Sequence, residues 1–93
     1  MILLVAEIEC FFYEPHSLKE KRAIIKKLLH RLQKERNVTV AEIDYQELWQ
    51  RTKIAIATVS SDYVQAERII NQSFAIIDQF TELERTITNI DRY

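Results

Sequence analysis

The sequence predicts an α+β fold in which four strands form one antiparallel sheet and two helices cover one of its faces. Two observations predict it: apolar residues recur with a period of two in several segments, and with helical spacing in two segments between them. The 93 residues are 47% apolar and contain no long linker, so we expect a single domain over residues 1–93.

The first strand is predicted over residues 2–13, where side chains alternate between two faces. One face is entirely apolar and is expected to meet the core; it consists of Ile2, Leu4, Ala6, Ile8, Cys10 and Phe12. The other face carries two carboxylates at its middle, Glu7 and Glu9, between apolar residues. Pro15 interrupts the pattern and ends the strand.

A helix follows, because Ser17 and Glu20 form the S-x-x-E pattern of a capping box. The helix is predicted to end at about Arg36. Its apolar stripe consists of Leu18, Ile25, Leu28, Leu29 and Leu32. Most other positions carry polar or basic side chains, so the helix is amphipathic and basic.

Two strands are predicted after this helix. Residues 38–41 alternate as a short strand, and residues 44–50 form a connection. The strand over residues 51–60 is apolar enough on both faces to lie in the middle of the sheet.

A second helix and a last strand complete the pattern. Asp62 is the predicted N-cap of a helix over residues 63–79, and residues 83–90 form a final, weaker strand. The order βαββαβ, with right-handed crossovers, is that of a ferredoxin-like split βαβ fold.

Composition excludes several classes of activity. Glycine is absent, which excludes the P-loop, the Rossmann glycine fingerprint and any tight turn that depends on glycine at positive φ. Cys10 is the single cysteine, which excludes a disulfide framework and a cysteine-rich zinc site, so we expect no metal or cofactor. The N-terminal stretch has no basic region and is broken by Glu7 and Glu9, so we expect a cytoplasmic protein without a signal peptide or membrane span.

The sequence contains no recognisable catalytic constellation, and we expect a protein that is not an enzyme. Glu7 and Glu9 lie about 7 Å apart on one strand face, which superficially suits acid–base chemistry. Such carboxylates more often keep a sheet face soluble or pair with a cation on the neighbouring strand, here Lys53.

Positive charge is concentrated in the first helix, although the net charge of the chain is −1. Residues 17–36 hold eight Lys and Arg against two Glu. Such a stripe suits a phosphate backbone, and the amides of the helix N-terminus favour an anion nearby. The predicted nucleic-acid-binding residues of this helix are Lys19, Lys21, Arg22, Lys26 and Lys27. A solvated helix face without a ligand explains the same pattern equally well.

Lys21 differs from the other lysines because it falls within the apolar stripe. Either its side chain extends past the sheet edge to solvent, or it is held at a polar site. We favour the first alternative.

The connection before the third strand holds a second candidate site, formed by Trp49, Gln50 and Arg51. An indole can stack on a base and a guanidinium can hold a phosphate. The favoured alternative is that the lone tryptophan covers a sheet edge or an oligomer interface.

The sheet face away from the helices carries more apolar surface than a monomer usually exposes. The sequence therefore predicts a homo-oligomer, with a dimer favoured, whose interface consists of Leu3, Val5, Phe11, Tyr13, Ala57 and Val59.

Five blocks, in this order, resemble the bacterial YlxP-like family: HSLKEKR at 16–22, LLHRL at 28–32, NVTVAEI at 37–43, LWQR at 48–51 and VSSD at 59–62. The resemblance spans nearly the whole chain. It implies a ferredoxin-like domain of uncharacterised function, often encoded beside factors for transcription elongation, translation initiation and ribosome maturation. It transfers no catalytic residue.

Three functions remain open at this point, of which an enzyme that uses Glu7 or Glu9 is the least favoured. The basic helix and the implied gene neighbourhood favour a non-enzymatic accessory factor that binds ribosomal RNA or ribosomal particles. The rival is a protein-interaction or self-assembly module that uses the uncovered sheet face.

Overall fold

The computed structural model describes residues 1–13, 15–35 and 37–93. Its elements follow the predicted order: β1 (Ile2–Phe12), α1 (Leu18–Glu35), β2 (Thr39–Asp44), β3 (Arg51–Ser60), α2 (Tyr63–Asp78) and β4 (Leu83–Arg92). The predicted ferredoxin-like fold class is confirmed. Arg36, the predicted end of the first helix, lies outside the described residues. Within the described ranges, no helix is both long enough and apolar enough to cross a membrane.

The four strands form one antiparallel sheet in the order β2-β3-β1-β4. In the centre of the sheet, Ile8 of β1 lies opposite Ile54 of β3 and Thr88 of β4. The edge strands are β2 and β4, and the register of each shifts once. The shift in β2 leaves Ile43 without a partner, and the shift in β4 leaves Thr86 as the extra residue of a bulge.

The core lies between one face of the sheet and the two helices. β1 buries Leu4, Ala6, Ile8, Cys10 and Phe12, as its alternation predicts, whereas Ile2 at its start is half-buried. The helices and β3 complete the core with Ile25, Leu28, Leu32, Ile54, Ile56, Ala66, Ile70, Ile76 and Ile77. α2 packs on β3 and β1, and α1 packs on β2 and α2.

Both helices begin at the predicted caps. The Ser17 hydroxyl accepts the Glu20 N–H at 3.2 Å, but the Glu20 carboxylate accepts the N–H of His16, at 2.7 Å, instead of that of Ser17. The capping box is therefore present with its return bond one residue earlier. The Asp62 carboxylate accepts the N–H of Val64 at 3.1 Å, as expected of an N-cap.

β4 is longer than predicted and extends to Arg92. Its first residue, Leu83, is buried, but residues 86–93 are exposed on both faces of the sheet. α2 packs mainly on β3 and β1 and less on β4, so the side chains of the outer part of β4 remain exposed, although the Arg92 guanidinium stacks over the ring of Tyr63, 5.0 Å from its centre.

Candidate nucleic-acid interface

The buried side chain of Lys21 joins α1 to the loop between β2 and β3. Lys21 has no solvent exposure, and its ammonium donates to the carbonyl oxygens of Tyr45, at 2.7 Å, and Leu48, at 2.6 Å. A carboxylate oxygen of Glu42 lies 3.0 Å from the same nitrogen. Three acceptors match the three donors of a lysine ammonium. The prediction that Lys21 extends to solvent is wrong, because the loop provides these acceptors; Lys21 therefore cannot belong to a phosphate-binding surface.

Glu42 extends this contact to β3. Its carboxylate also accepts the hydroxyl of Thr52, which is fully buried at the start of β3. We call Lys21, Glu42 and Thr52, with the carbonyls of Tyr45 and Leu48, the Lys21 cluster. Because a buried charge that loses its partner is strongly destabilising, the cluster holds α1, β2, β3 and the loop in one arrangement.

The loop itself, residues 45–50, contains a backbone conformation that other contacts must hold. Tyr45 has a φ of 58°, in the left-handed region that costs a non-glycine residue about 1 kcal/mol or more. Its carbonyl accepts both the Leu48 N–H, at 3.1 Å, and the Lys21 ammonium, while its N–H donates to Asp44 at 2.7 Å. A tight turn at positive φ therefore forms in this chain without glycine.

Arg51 lies at the end of this loop and begins β3. Its guanidinium stacks over the ring of Tyr45, 4.0 Å from the ring centre, and donates to the Glu9 carboxylate at 2.8 Å. The predicted pairing of Glu9 with Lys53 is therefore replaced by a diagonal pair with Arg51, although Lys53 is the residue directly opposite Glu9. The Arg51 side chain remains 49% exposed, so its charge is partly available to solvent.

The exposed face of α1 lies beside the same loop. Lys19, Lys26 and Lys27 are exposed, and the side chain of Arg22 is 61% exposed. A terminal nitrogen of Arg22 lies 3.9 Å from the carboxylate of Glu47. This solvated pair contributes little energy, but it shows that the first half of the basic face borders residues 45–50.

Trp49 and Gln50 line a cleft where the loop meets the end of β1. The cleft has a volume of about 190 Å³, and its other lining residues are Phe11, Leu48 and Arg51. Trp49 is 41% exposed, and the carbonyl of Gln50 accepts the N–H of Phe12 at 2.8 Å. Trp49 thus presents part of its indole to solvent beside the half-exposed Arg51.

On the uncovered sheet face, the residues of the predicted oligomer interface fall into two separate groups. Val5 lies opposite Ala57, and Leu3 lies opposite Val59, which is 55% exposed. Phe11 and Tyr13 lie at the other end of β1, beyond the two glutamates, and their rings meet edge to face at 5.5 Å. The Tyr13 hydroxyl donates to the Glu84 carboxylate. The structure therefore groups Leu3, Val5, Ala57 and Val59, and it places Phe11 in the Trp49 cleft instead.

Two side chains with catalytic potential, those of Cys10 and Glu9, are buried or hydrogen-bonded. Burial raises the pKa of the Cys10 thiol to about 12, so this thiol is protonated at neutral pH. Glu9 is half-buried and accepts Arg51. Among residues 1–13, 15–35 and 37–93, no group of three His, Cys, Asp or Glu side chains could hold a metal ion.

Comparison with known proteins identifies the family. A family model described as "Protein of unknown function (DUF503)" matches residues 3–90. The chain belongs to this family. The "Uncharacterized protein YlxP" of Bacillus subtilis (strain 168) is 51% identical over 86 residues, which make up 92% of this chain and 94% of that protein. The resemblance to the YlxP-like family is thereby confirmed.

Two solved structures share the fold of this DUF503 chain. A protein titled "De novo designed protein Foldit4" aligns with a TM-score of 0.56 and 17% identity, over 98% of this chain and 96% of that one. A C-terminal segment of the alpha subunit of aIF2 from Pyrococcus abyssi aligns with a TM-score of 0.51 and 20% identity, over 98% of this chain and 49% of that one. At these identities the likeness shows the fold alone.

Sequence reasoning missed two residues of the site in this DUF503 member, Glu42 and Tyr45. Glu42 has a detectable signal, because it follows Val40 at a spacing of two and so shares the core face of β2. A lysine in the apolar stripe of α1 requires such a carboxylate nearby. Tyr45 has no comparable signal, since its role depends on a loop conformation that is set by distant contacts.

Proposed function

We propose that this protein is a non-enzymatic accessory factor that binds RNA, in free form or on ribosomal particles, through α1 and the loop 45–50. One observation carries the proposal: the Lys21 cluster holds the basic helix against the loop 45–50, which bears Trp49 and Gln50 and leads directly into Arg51. Two sequence blocks with different chemistry, one for phosphates and one for bases, thus border each other.

The charges of this surface support contact with a phosphate backbone. Lys19, Arg22, Lys26 and Lys27 are exposed on one helix, and only Arg22 has an acidic neighbour, at 3.9 Å, among the contacts of the described residues. Exposed lysine and arginine release counterions when they neutralise phosphates, which gives binding energy without sequence specificity. The centre of the uncovered sheet face carries Glu7 and Glu9, so RNA is expected to contact α1 and the cleft at the end of β1 instead of the centre of that face.

The loop supplies an aromatic surface for base stacking, which a basic helix alone would lack. The half-exposed indole of Trp49 offers a stacking surface, and Arg51 stands beside it on the ring of Tyr45. Base stacking on an aromatic side chain contributes about 1 to 3 kcal/mol per base and tolerates any sequence. A single-stranded RNA whose backbone follows α1 and whose base reaches the cleft fits both parts of the surface.

The salt dependence of RNA binding tests this proposal. We expect simultaneous replacement of Lys19, Arg22, Lys26 and Lys27 by Gln to weaken binding of a fluorescent single-stranded RNA. The slope of log K against log salt should fall by about 0.7 for each phosphate that the variant no longer neutralises. The measurement is fluorescence anisotropy between about 50 and 200 mM salt, with co-sedimentation of native ribosomal particles as a second readout.

A matched control removes the same amount of charge elsewhere. Replacement of Lys53, Arg68, Arg85 and Arg92 by Gln also removes four positive charges, but from positions outside α1 and the loop 45–50. If both quadruple variants lower the salt slope equally, only overall charge matters and the proposed surface is wrong. An unchanged slope in the first variant, with the fold intact, would leave α1 as a solvated face.

Trp49 separates stacking from charge. We expect Trp49→Ala to weaken RNA binding by about 1 to 3 kcal/mol at every salt concentration, because stacking releases no counterions. Trp49→Phe should retain most of the affinity. Equal binding by all three proteins would remove the cleft from the proposal and leave the helix as the RNA surface.

A second function is favoured by the apolar group on the uncovered face. Leu3, Val5, Ala57 and Val59 are adjacent in the register, and Val59 is 55% exposed. We propose, as the alternative, a homo-oligomeric interaction module that buries this group. Val5→Lys would place an unpaired ammonium in its centre and should convert an oligomer to a monomer by light scattering. A wild-type chain that is monomeric at tens of micromolar would contradict this alternative.

A further inference from the structure

The outer edge of β4 is the longest stretch of unpaired backbone in the sheet. Tyr93 donates its N–H to the carbonyl of Leu3 at 2.9 Å, so Tyr93 belongs to the residues whose backbone faces β1. Backbone direction alternates along an antiparallel ladder. Residues 87, 89 and 91 therefore also bond to β1, and the N–H and C=O groups of Thr88, Ile90 and Arg92 point away from the sheet.

The two edges of the sheet differ in how they are protected. β2 has six residues and a register shift, and α1 packs on it. Natural edge strands are usually protected by short length, bulges or covering elements. β4 has its bulge at Thr86, and beyond it residues 87–92 pair regularly with β1 and are exposed. Ile87 is 50% exposed and Ile90 is 48% exposed, on opposite faces of this free segment.

The free segment is complementary to a second copy of itself in one register. An antiparallel pair centred on Ile90 places Ile90 opposite Ile90 of the second copy, and Ile87 opposite Tyr93. Thr88 then lies opposite Arg92, so the three outward-facing residues of both strands form about six main-chain hydrogen bonds. No charge faces a like charge in this register.

The neighbouring registers lack this match. Centring on Asn89 places Ile87 opposite Asp91, and it leaves Arg92 opposite the bulged Thr86. Centring on Asp91 places the two Asp91 carboxylates directly opposite each other, which is destabilising. Only the register centred on Ile90 pairs every outward-facing residue and every apolar residue of the free segment.

We propose that β4 pairs with β4 of a second copy of this chain across a two-fold axis at Ile90, which joins the two sheets into one. The contact is isologous, because the same strand serves both partners. It goes beyond RNA binding and does not depend on it. α1 and the loop 45–50 lie beside β2, at the opposite edge, so each copy keeps its basic surface free and the pair presents two of them.

Amide hydrogen exchange on the wild-type protein is the first test. In a dimer of this kind the N–H groups of Thr88, Ile90 and Arg92 should become protected as protein concentration rises. Those of Asn89 and Asp91 should be protected at all concentrations, because they bond to β1. A dimer in which the first set exchanges as freely as in the monomer would overturn the proposal.

Light scattering on two variants is the second test. Wild type should approach twice the monomer mass of 11.1 kDa at tens to hundreds of micromolar. Ile90→Pro removes an N–H that has no partner within the chain, and proline is tolerated at such edge positions, so this variant should be monomeric. Val59→Lys, an apolar-to-lysine change on the uncovered face, should remain dimeric. A monomeric wild type, or a dimer that survives Ile90→Pro and is lost with Val59→Lys, would overturn the proposal.

Discussion

The two edges of the sheet are held by ion pairs of opposite character. At the β2 edge, Lys21 is fully buried and its partner Glu42 is 16% exposed. At the β4 edge, Arg85 forms two hydrogen bonds to Asp78, at 2.8 and 2.9 Å, but the side chains are 27% and 51% exposed. The first pair also binds two loop carbonyls, whereas the second lies on the surface where β4 follows α2.

The difference shows that the buried polar contacts of these two ion pairs lie at the β2 edge. A buried pair with every donor satisfied fixes a specific arrangement, because each broken contact leaves a desolvated group. An exposed pair exchanges its contacts with water and contributes little. The loop 45–50, which bears Trp49, is therefore held by buried polar contacts, while the outer part of β4 is held by its ladder with β1 and by exposed side-chain contacts such as that of Arg92 with Tyr63. A rigid loop suits recognition, and an unprotected edge suits assembly.

The largest effect is expected from Lys21→Met. Methionine preserves much of the side-chain volume but leaves the half-buried Glu42 carboxylate without a counter-charge and the carbonyls of Tyr45 and Leu48 without their donor. We expect a loss of about 3 to 5 kcal/mol in the free energy of unfolding, measured by urea denaturation. The matched control, Lys19→Met on the exposed face of the same helix, should change stability by no more than about 0.5 kcal/mol.

A double variant distinguishes the stability cost of the lost hydrogen bonds from that of leaving the Glu42 carboxylate without its counter-charge. Lys21→Met with Glu42→Leu removes both charges, and replacing a buried ion pair by apolar groups is often close to neutral. The double variant should therefore recover a large part of the stability that Lys21→Met loses. If Lys21→Met costs less than about 1 kcal/mol, the β2 edge is no more strongly held than the β4 edge.

The periodic parts of the sequence were sufficient to predict the fold. The alternation in β1 and β3 corresponds to the observed burial, and the caps at Ser17 and Asp62 are those predicted. These signals are local, because each depends only on residues within one or two turns or along one strand. The sequence analysis grouped Val5 and Phe11 in one interface, although Glu7 and Glu9 lie between them on the same face.

The candidate site was less predictable because it depends on contacts between distant residues. The polar environment of Lys21 is created by carbonyls 24 and 27 residues away, at a loop whose turn includes Tyr45 at positive φ. Helical position showed that Lys21 was unusual but not which groups would meet it. The exposure of β4 on both faces depends on how far the helical layer extends, which the pattern of β4 itself does not contain.

A smaller effect is expected at Cys10, which lies on β1 opposite Arg85 of β4. Burial is the largest cause that raises the pKa of this thiol from 9.0 to about 12; Arg85 lowers it and Asp78 raises it by smaller amounts. The unfolded chain therefore releases the thiol proton at lower pH than the folded chain. Stability is unaffected below about pH 9 and falls as pH rises from there towards 12.

Comparison with Cys10→Ala isolates this contribution. Between about pH 8 and pH 10, wild type should lose about 1.4 kcal/mol more unfolding free energy than the variant, which has no thiol to ionise. A thiol reagent should also modify native Cys10 only as fast as β1 and β4 open. If the unfolding free energies of the two proteins change in parallel with pH, and the reagent modifies Cys10 rapidly, then β1 and β4 separate often enough to hydrate this thiol.

The smallest effect is expected from Asp78→Asn, the β4 counterpart of the change at Lys21. The variant keeps the shape of the side chain and one acceptor for Arg85, whose guanidinium also stacks over Phe74 at 4.7 Å. Asp78 is the last residue of α2, where a negative charge is unfavourable with the helix dipole, so its removal offsets part of the lost attraction. We expect a loss below about 1 kcal/mol that shrinks further at high salt. A loss close to that of Lys21→Met would mean that both edges depend equally on their ion pairs. The contrast between a locked β2 edge and a free β4 edge would then be wrong.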